Sequence, residues 1–242
     1  MKLLAFETAT EACSVALHVD GQVRERFEIA PRRHAELALP WAQALLEEAG
    51  IARTELDAIA LSRGPGAFTG VRLAIALAQG IALAIDRPII PVSTLKVVAA
   101  SLVLPYGSEP AGGRQHILAA IDARMGEVYS GAFVREGADL LPLSRETVSA
   151  PDAVQLPDGD QRWHGAGTGF AASDSALQAH LQPRLASVDA QVLPHASDLA
   201  QLASLAFKRG EAIAPERVEP AYLRDNVALT LAEQQALRSS KH

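Results

Sequence analysis

The sequence predicts an α/β protein of two similar lobes, each a mixed sheet flanked by helices. Three observations carry this. Residues 1–104 read in the order βββαβαβα, and an antiparallel meander followed by βα units gives a mixed sheet with helices on its faces. The second half opens on antiparallel strands, passes a glycine-rich loop and ends in helices, a shorter echo of the first. The composition, 49% hydrophobic and 21% charged over 242 residues, is that of a globular chain and excludes a disordered one.

In chain order, residues 2–8 form an apolar run of strand length. Residues 12–18 alternate Cys13, Val15 and Leu17 with Ser14, Ala16 and His18, and Asp20-Gly21 is a hairpin signal before a third alternating run over 22–29. Residues 35–49 carry Leu37, Trp41, Ala44 and Leu45 at helical spacing, with Gly50 placed to end the helix. Pro40 removes an interior hydrogen bond, which allows a start just ahead of it. A buried strand over 58–62, the loop 63–70, a helix over 71–85, a strand over 88–92 and a helix over 94–103 complete the first lobe.

Residues 106–114, rich in Gly, Pro and Ser, form a linker. Strands follow over 116–121, 127–134 and near 141–147, with a short helix start over 151–155 and a strand over 162–165. Helices are expected over 173–181 and, strongly amphipathic, over 197–209, with Ser197 as its N-cap. The expected division is a first lobe over 1–104 completed by the helix 197–209, a smaller second lobe over 115–196, and a C-terminal tail over 211–242 with a weak helix at 229–237.

With 22 Lys plus Arg against 28 Asp plus Glu, the net charge is −6, which argues against strong nucleic-acid binding by this chain alone. The one cysteine, Cys13, excludes an intrachain disulfide and a thiolate-rich metal site. The first residues have no signal-peptide pattern, and the longest apolar stretch, 71–85, is shorter than the ~20 residues of a membrane span. A cytoplasmic protein is expected.

Four features could carry chemistry or recognition. Gly64-Pro65-Gly66-Ala67-Phe68-Thr69-Gly70 joins a strand to a helix, so its glycines Gly64, Gly66 and Gly70 either cradle phosphate or let the helix pack close to the sheet. Glu7 and Thr8 end the first strand, where a carboxylate could hold magnesium against a nucleotide or simply lie solvated. His34 could be a base or an anion contact, or an ordinary surface residue at a helix start. No His-Glu-x-x-His or Gly-x-Ser-x-Gly is present, and the histidines show no metal spacing. The most informative feature is the helix 71–85, apolar nearly all round. Leu73, Leu77, Ile81 and Leu83 cover one side, and Ala74, Ala78 and Ala82 repeat at i, i+4, i+8, as do Ala76, Gly80 and Ala84. Such a helix needs cover on its outer side. The helix 35–49 could supply it alone, but the expectation is a two-helix face that buries itself against a partner chain, with Leu73, Ala74, Leu77, Ala78, Ile81 and Ala82 of one helix and Trp41 and Leu45 of the other at the interface.

Leu4-Ala5-Phe6-Glu7-Thr8-Ala9, Arg33-His34-Ala35-Glu36, the Gly64–Gly70 loop with Val71-Arg72, Asp122-Ala123-Arg124-Met125-Gly126-Glu127-Val128-Tyr129 and Pro220-Ala221-Tyr222-Leu223-Arg224 together resemble the bacterial TsaB (YeaZ) family, over residues 2–228. The resemblance implies the two-lobe actin/hexokinase/Hsp70-like (ribonuclease H-like) fold. It implies a non-catalytic subunit of the complex that makes threonylcarbamoyladenosine next to the anticodon of tRNAs reading codons that begin with adenine. Its paralogue TsaD is expected to bind the metal and transfer the group, pairing with this chain through the first lobe. The ATPase TsaE is expected to join them, the chain alone to form a homodimer by the same face, and tRNA to be reached only through the complex. No cofactor of its own is implied, with ATP or ADP a candidate at the partner interface. TsaD-type proteins carry a metal-binding histidine pair absent here, and the family's aspartate at the end of the first strand is Glu7. The rival reading is an ATP-using, kinase-like enzyme of the same fold built on Glu7 and the 64–70 loop.

Overall fold

The computed structural model describes residues 1–103 and 114–224. The linker expected over 106–114, except Arg114, and the helix expected over 229–237 lie outside the described residues. In the first lobe, β1 (Lys2–Glu7), β2 (Ala12–Val19) and β3 (Gln22–Ile29) form an antiparallel meander. After α1 (His34–Ala49), β4 (Ala58–Ser62) pairs parallel to β1; after α2 (Phe68–Ile85), β5 (Ile89–Val92) pairs parallel to β4. The order is β3-β2-β1-β4-β5. α3 (Thr94–Ser101) then leads to the second lobe.

There β6 (Arg114–Arg124), β7 (Glu127–Glu136) and β8 (Asp139–Pro142) form a second meander, with the short β9 (Thr147–Ser149) also on β7. β10 (Trp163–Ala166) lies parallel to β6, and after α4 (Ala172–Leu181) β11 (Leu185–Asp189) lies parallel to β10. The order β11-β10-β6-β7-β8 is the first sheet's order read from the other edge. The same meander and the same two parallel additions occur twice, so the echo in the sequence is a structural duplication.

Each sheet is covered on both faces. Leu4, Phe6, Leu17, Ile59 and Leu61 of the first sheet meet α1 and α2. On its other face Leu3, Ala5, Ala58, Ala60 and Ile90 meet Leu199, Ala203 and Ala206 of α5 (Ala196–Lys208), which returns from the second lobe. α3 packs on one face of the second sheet and α4 on the other. Small residues on both sides of these contacts bring helix and sheet close, which raises packing density.

Several boundaries differ from the sequence expectation, each for a local reason. α1 begins at His34, six residues ahead of Pro40; the proline is exposed, so the ring and the missing donor fall on the solvent side. α2 begins at Phe68 rather than Val71. The strand expected near 141–147 is two strands, β8 ending at Pro142, which has no N–H to continue the ladder, and β9. The start of α4 is irregular, with Ser173, Asp174 and Ser175 at φ of 50°, 55° and 63°. Residues 151–153 form only a 3₁₀ turn. The strand β11 has no counterpart in the sequence reading.

Ser197 is not the cap of α5; His195 holds that position without a side-chain bond, and the capping acceptor comes from another strand. Glu25 of β3 accepts from the Ser197 N–H and hydroxyl (both 3.1 Å), and Ser14 Oγ accepts from the Ala196 N–H (2.9 Å). His195 Nδ1 meets Glu25 Oε2 at 3.1 Å, and its ring stacks on Phe27 at 4.1 Å. Burial opposes ionisation of Glu25. The hydrogen bonds from His195, Ser14 and Ser197 outweigh it and hold the carboxyl below its ordinary range.

Residues 211–224 run back across the first lobe. Ile213 bridges Ile89, Val218 is buried in the core under α2, and the Ala221 N–H donates to the Arg63 carbonyl at 2.8 Å.

Candidate functional site

β1 delivers Glu7 and Thr8 to the first β-turn, and β4 delivers the 64–70 loop beside it. Glu7 is fully buried rather than solvated. Its Oε1 accepts from the Ala9 N–H at 2.8 Å, while among the described residues Oε2 has no hydrogen bond of normal geometry, and neither has the nearby Ser62 hydroxyl. Burial pushes the carboxyl up to about 7, with the Ala9 N–H and Ser62 pulling it partly back. Thr8 Oγ1 donates to the Gly70 carbonyl at 2.7 Å. A Cβ built on Gly70 falls on the Thr8 carbonyl oxygen, and one on Gly66 falls on that of Ala9. The Ala67 N–H donates to the Ala9 carbonyl at 2.7 Å. His34 Nε2, 3.0 and 3.1 Å from the Thr10 and Ala12 carbonyls, fastens the same turn from α1.

These contacts decide what the loop can do. The glycine surfaces of 66 and 70 face backbone, the Ala67 amide is already used, and the one carboxylate is enclosed. Gly64 takes φ +98°, with its Cβ position 3.3 Å from the Ala221 carbonyl oxygen. Through these contacts Thr8, Gly66 and Gly70 weld the start of α2 to the β1–β2 turn, with Glu7 enclosed beneath.

The buried Glu7 carries a pH prediction. Its folded value lies above the unfolded one, so between about 4.5 and about 7 the folded state binds the extra proton and stability falls as pH rises. The loss saturates near 3 kcal/mol. Glu7→Gln keeps an acceptor for Ala9 without the charge. Its stability advantage over the parent, from urea unfolding, is expected to be near zero at pH 4.5 and to grow to about 2–3 kcal/mol by pH 8. A difference independent of pH contradicts the assignment.

The helix proves two-sided. Val71, Ala74, Ile75, Ala78 and Ala82 are buried against the sheet. Ala74, Ala78, Ala82 and Leu45 are expected at a partner interface, but the three alanines are at 0% exposure and Leu45 at 2%. These four belong to the chain's own core. Leu73 is half-buried, as are Trp41, Leu77 and Ile81, which pack against that core's margin. Ala76, Gly80 and Ala84 are exposed and Leu83 is 62% exposed, with Leu39 of α1 at 47%. The other alanine row thus faces outward. No charge lies between Arg72 and Asp86, both exposed at opposite ends of the helix.

One group escaped the sequence reading. Phe68 and Tyr222, 56% and 51% exposed, stack at 6.1 Å; the Arg72 guanidinium lies 3.7 Å from the Phe68 ring centroid, and its Nε donates to Tyr222 Oη at 2.8 Å. Two residues on, Arg224 pairs with Glu127 and donates to the Ala123 carbonyl at 3.3 Å, tying the strap to the second lobe's β6–β7 hairpin. The signal was the Pro220–Arg224 segment, which had no assigned role because its partners are about 100 and 150 residues away.

Comparison with known proteins agrees with this architecture. Residues 27–231 match the family model described as TsaD: tRNA N6-adenosine threonylcarbamoyltransferase. The chain is 41% identical over 232 residues to the Escherichia coli tRNA threonylcarbamoyladenosine biosynthesis protein TsaB, covering 94% of this chain and 96% of that one. The structure of YeaZ from Pseudomonas aeruginosa superposes with a TM-score of 0.80 at 42% identity, over 92% of this chain and 99% of that one. A Chlorobaculum tepidum tRNA N6-adenosine threonylcarbamoyltransferase is 32% identical over 130 residues, 48% of this chain and 36% of that one.

Proposed function

This chain belongs to the TsaB family of tRNA threonylcarbamoyladenosine biosynthesis proteins, and we propose that it serves there as a non-catalytic pairing subunit, binding a TsaD-type chain through the outer face of α2 and the adjoining side of α1. The single observation that carries the reading is that face: Ala76, Gly80, Leu83 and Ala84 exposed on a helix with no charge from residue 73 to residue 85. Small side chains let a second helix approach closely, and the exposed leucines supply apolar area. Arg72 at one end and Asp86 at the other suit an antiparallel partner helix of like design, which a paralogue or a second copy provides. The half-buried Leu73, Leu77, Ile81 and Trp41 line the margin of that contact.

The inner residues anchor α2 on its sheet, so this is a surface helix with one covered side and not a spanning segment. The enclosed Glu7 and the filled glycine loop favour a subunit that performs no phosphoryl transfer. The reading gives the chain no cofactor of its own, leaves a nucleotide at the partner interface to the assembled complex, places TsaE on the TsaB–TsaD pair, brings tRNA in only through the complex, and locates the protein in the cytoplasm.

Reconstitution tests it. With TsaD, TsaE and the enzyme that makes the activated threonylcarbamoyl donor, tRNA modification is expected to need this chain, which comigrates with TsaD in gel filtration. Modification at full rate without the chain overturns the reading. ATP turnover by the purified chain that is lost in Glu7→Gln would install the kinase-like alternative.

A further inference from the structure

The lobes also meet around a cavity of about 180 Å³ between α3, α5 and the β7–β8 hairpin. That is room for about six water molecules. Its walls carry two opposite charges that form no ion pair with each other, Arg135 of β7 and Asp198 in the first turn of α5. Each is held by a helix end of the opposite polarity. Arg135 Nη2 donates to the Ala99, Ala100 and Leu102 carbonyls (2.7, 3.1 and 3.2 Å) at the C-terminus of α3. Asp198 lies at the N-terminus of α5 and accepts from Ser101 Oγ at 2.7 Å. Among the described residues, Arg135 Nε and Nη1 and Asp198 Oδ1 make no hydrogen bond. Gln201 adds a neutral amide, and Ala100, Leu140 and Leu202 give an apolar wall.

We propose that this cavity is a binding site for a small neutral α-amino acid, its carboxylate on Arg135, its ammonium on Asp198 and Gln201, and its short side chain on Leu140 and Leu202. A dicarboxylate meets Asp198 with like charge, and a simple amine gives the remaining Arg135 donors no acceptor, so a zwitterion suits both walls better than either. The space of about 180 Å³, open to solvent beside Gly137, Ala138 and Gln201, matches a short side chain better than an indole. Because Arg135 and Asp198 belong to different lobes, the ligand bridges them.

The test is saturation-transfer NMR on the full chain with glycine, alanine and serine, with tryptophan as an oversized control and acetate and methylamine as half-ligands. The small amino acids are expected to bind in the millimolar range, and the half-ligands and tryptophan at least about tenfold more weakly. Asp198→Asn, which still accepts from Ser101, is expected to weaken binding about tenfold or more. Gln201→Trp, at an exposed helix position on the rim, is expected to abolish it with an unchanged melting temperature. No saturation transfer up to about 10 mM, or an affinity unchanged in either variant, overturns the proposal.

Discussion

Gly80→Arg is expected to fold as the parent does and to lose its partner. Among the described residues a Cβ at Gly80 meets nothing within 4 Å, and the position is exposed in the middle of α2. Replacing an interior helical glycine adds about 0.5–1 kcal/mol of helix propensity, so the melting temperature holds or rises. A long charged side chain at the point where the proposed partner helix approaches keeps the surfaces apart and leaves a charge unpaired if they close. Affinity for TsaD, measured by calorimetry, is expected to fall at least about 100-fold, and tRNA modification with it. The contrast is Ala78→Arg, a substitution that the periodicity alone selects for the same purpose. Ala78 has no exposed surface and lies against the sheet. That variant forces a charge into the core at about 4 kcal/mol or more and loses its fold, so it reports nothing on pairing.

Gly70→Ala is the largest stability effect expected from a single methyl group. The new Cβ coincides with the Thr8 carbonyl oxygen, backbone at the end of the central strand β1 that cannot swing away as a side chain would. The β1–β2 turn or the first turn of α2 must shift, breaking the Thr8–Gly70 bond and loosening the enclosure of Glu7. A loss of about 2–4 kcal/mol in urea unfolding follows, while Gly80→Ala on the same helix gains about 1 kcal/mol. Equal effects at the two glycines would mean that the loop is not packed against the turn.

The two glycines show where sequence reading stops. Both lie in apolar helical surroundings, and residue type alone cannot separate a glycine kept for close backbone approach from one that faces open space. The same holds for the alanines of α2. Their spacing of four identifies two rows, but which row faces the sheet depends on the azimuth of the helix, set by the loop that begins it. The meander β1–β3, the strand β4 and α2 itself were legible because their alternation or helical period is long and their turns carry Asp20-Gly21 or Gly50. In the second lobe β11 went unread: Leu185–Asp189 is short and only its first residue is buried, so it carries little pattern. The Phe68–Arg72–Tyr222 cluster and the Glu25 cap of α5 were illegible for another reason. Each joins segments about 150 to 170 residues apart, and only the returning helix and strap bring them together.

If a TsaD-type chain covers the outer face of α2, a single engineered cysteine reports it. Cys13, the chain's own thiol, is buried, and burial pushes it up to about 11, so it reacts slowly. A cysteine placed by Gly80→Cys is exposed. Its alkylation rate, measured with and without a saturating excess of TsaD, is predicted to fall at least about tenfold on mixing, while a cysteine at exposed Gln43 on α1 serves to report the edge of the contact. An unchanged rate at position 80 in the presence of TsaD that still comigrates with the chain would contradict the account.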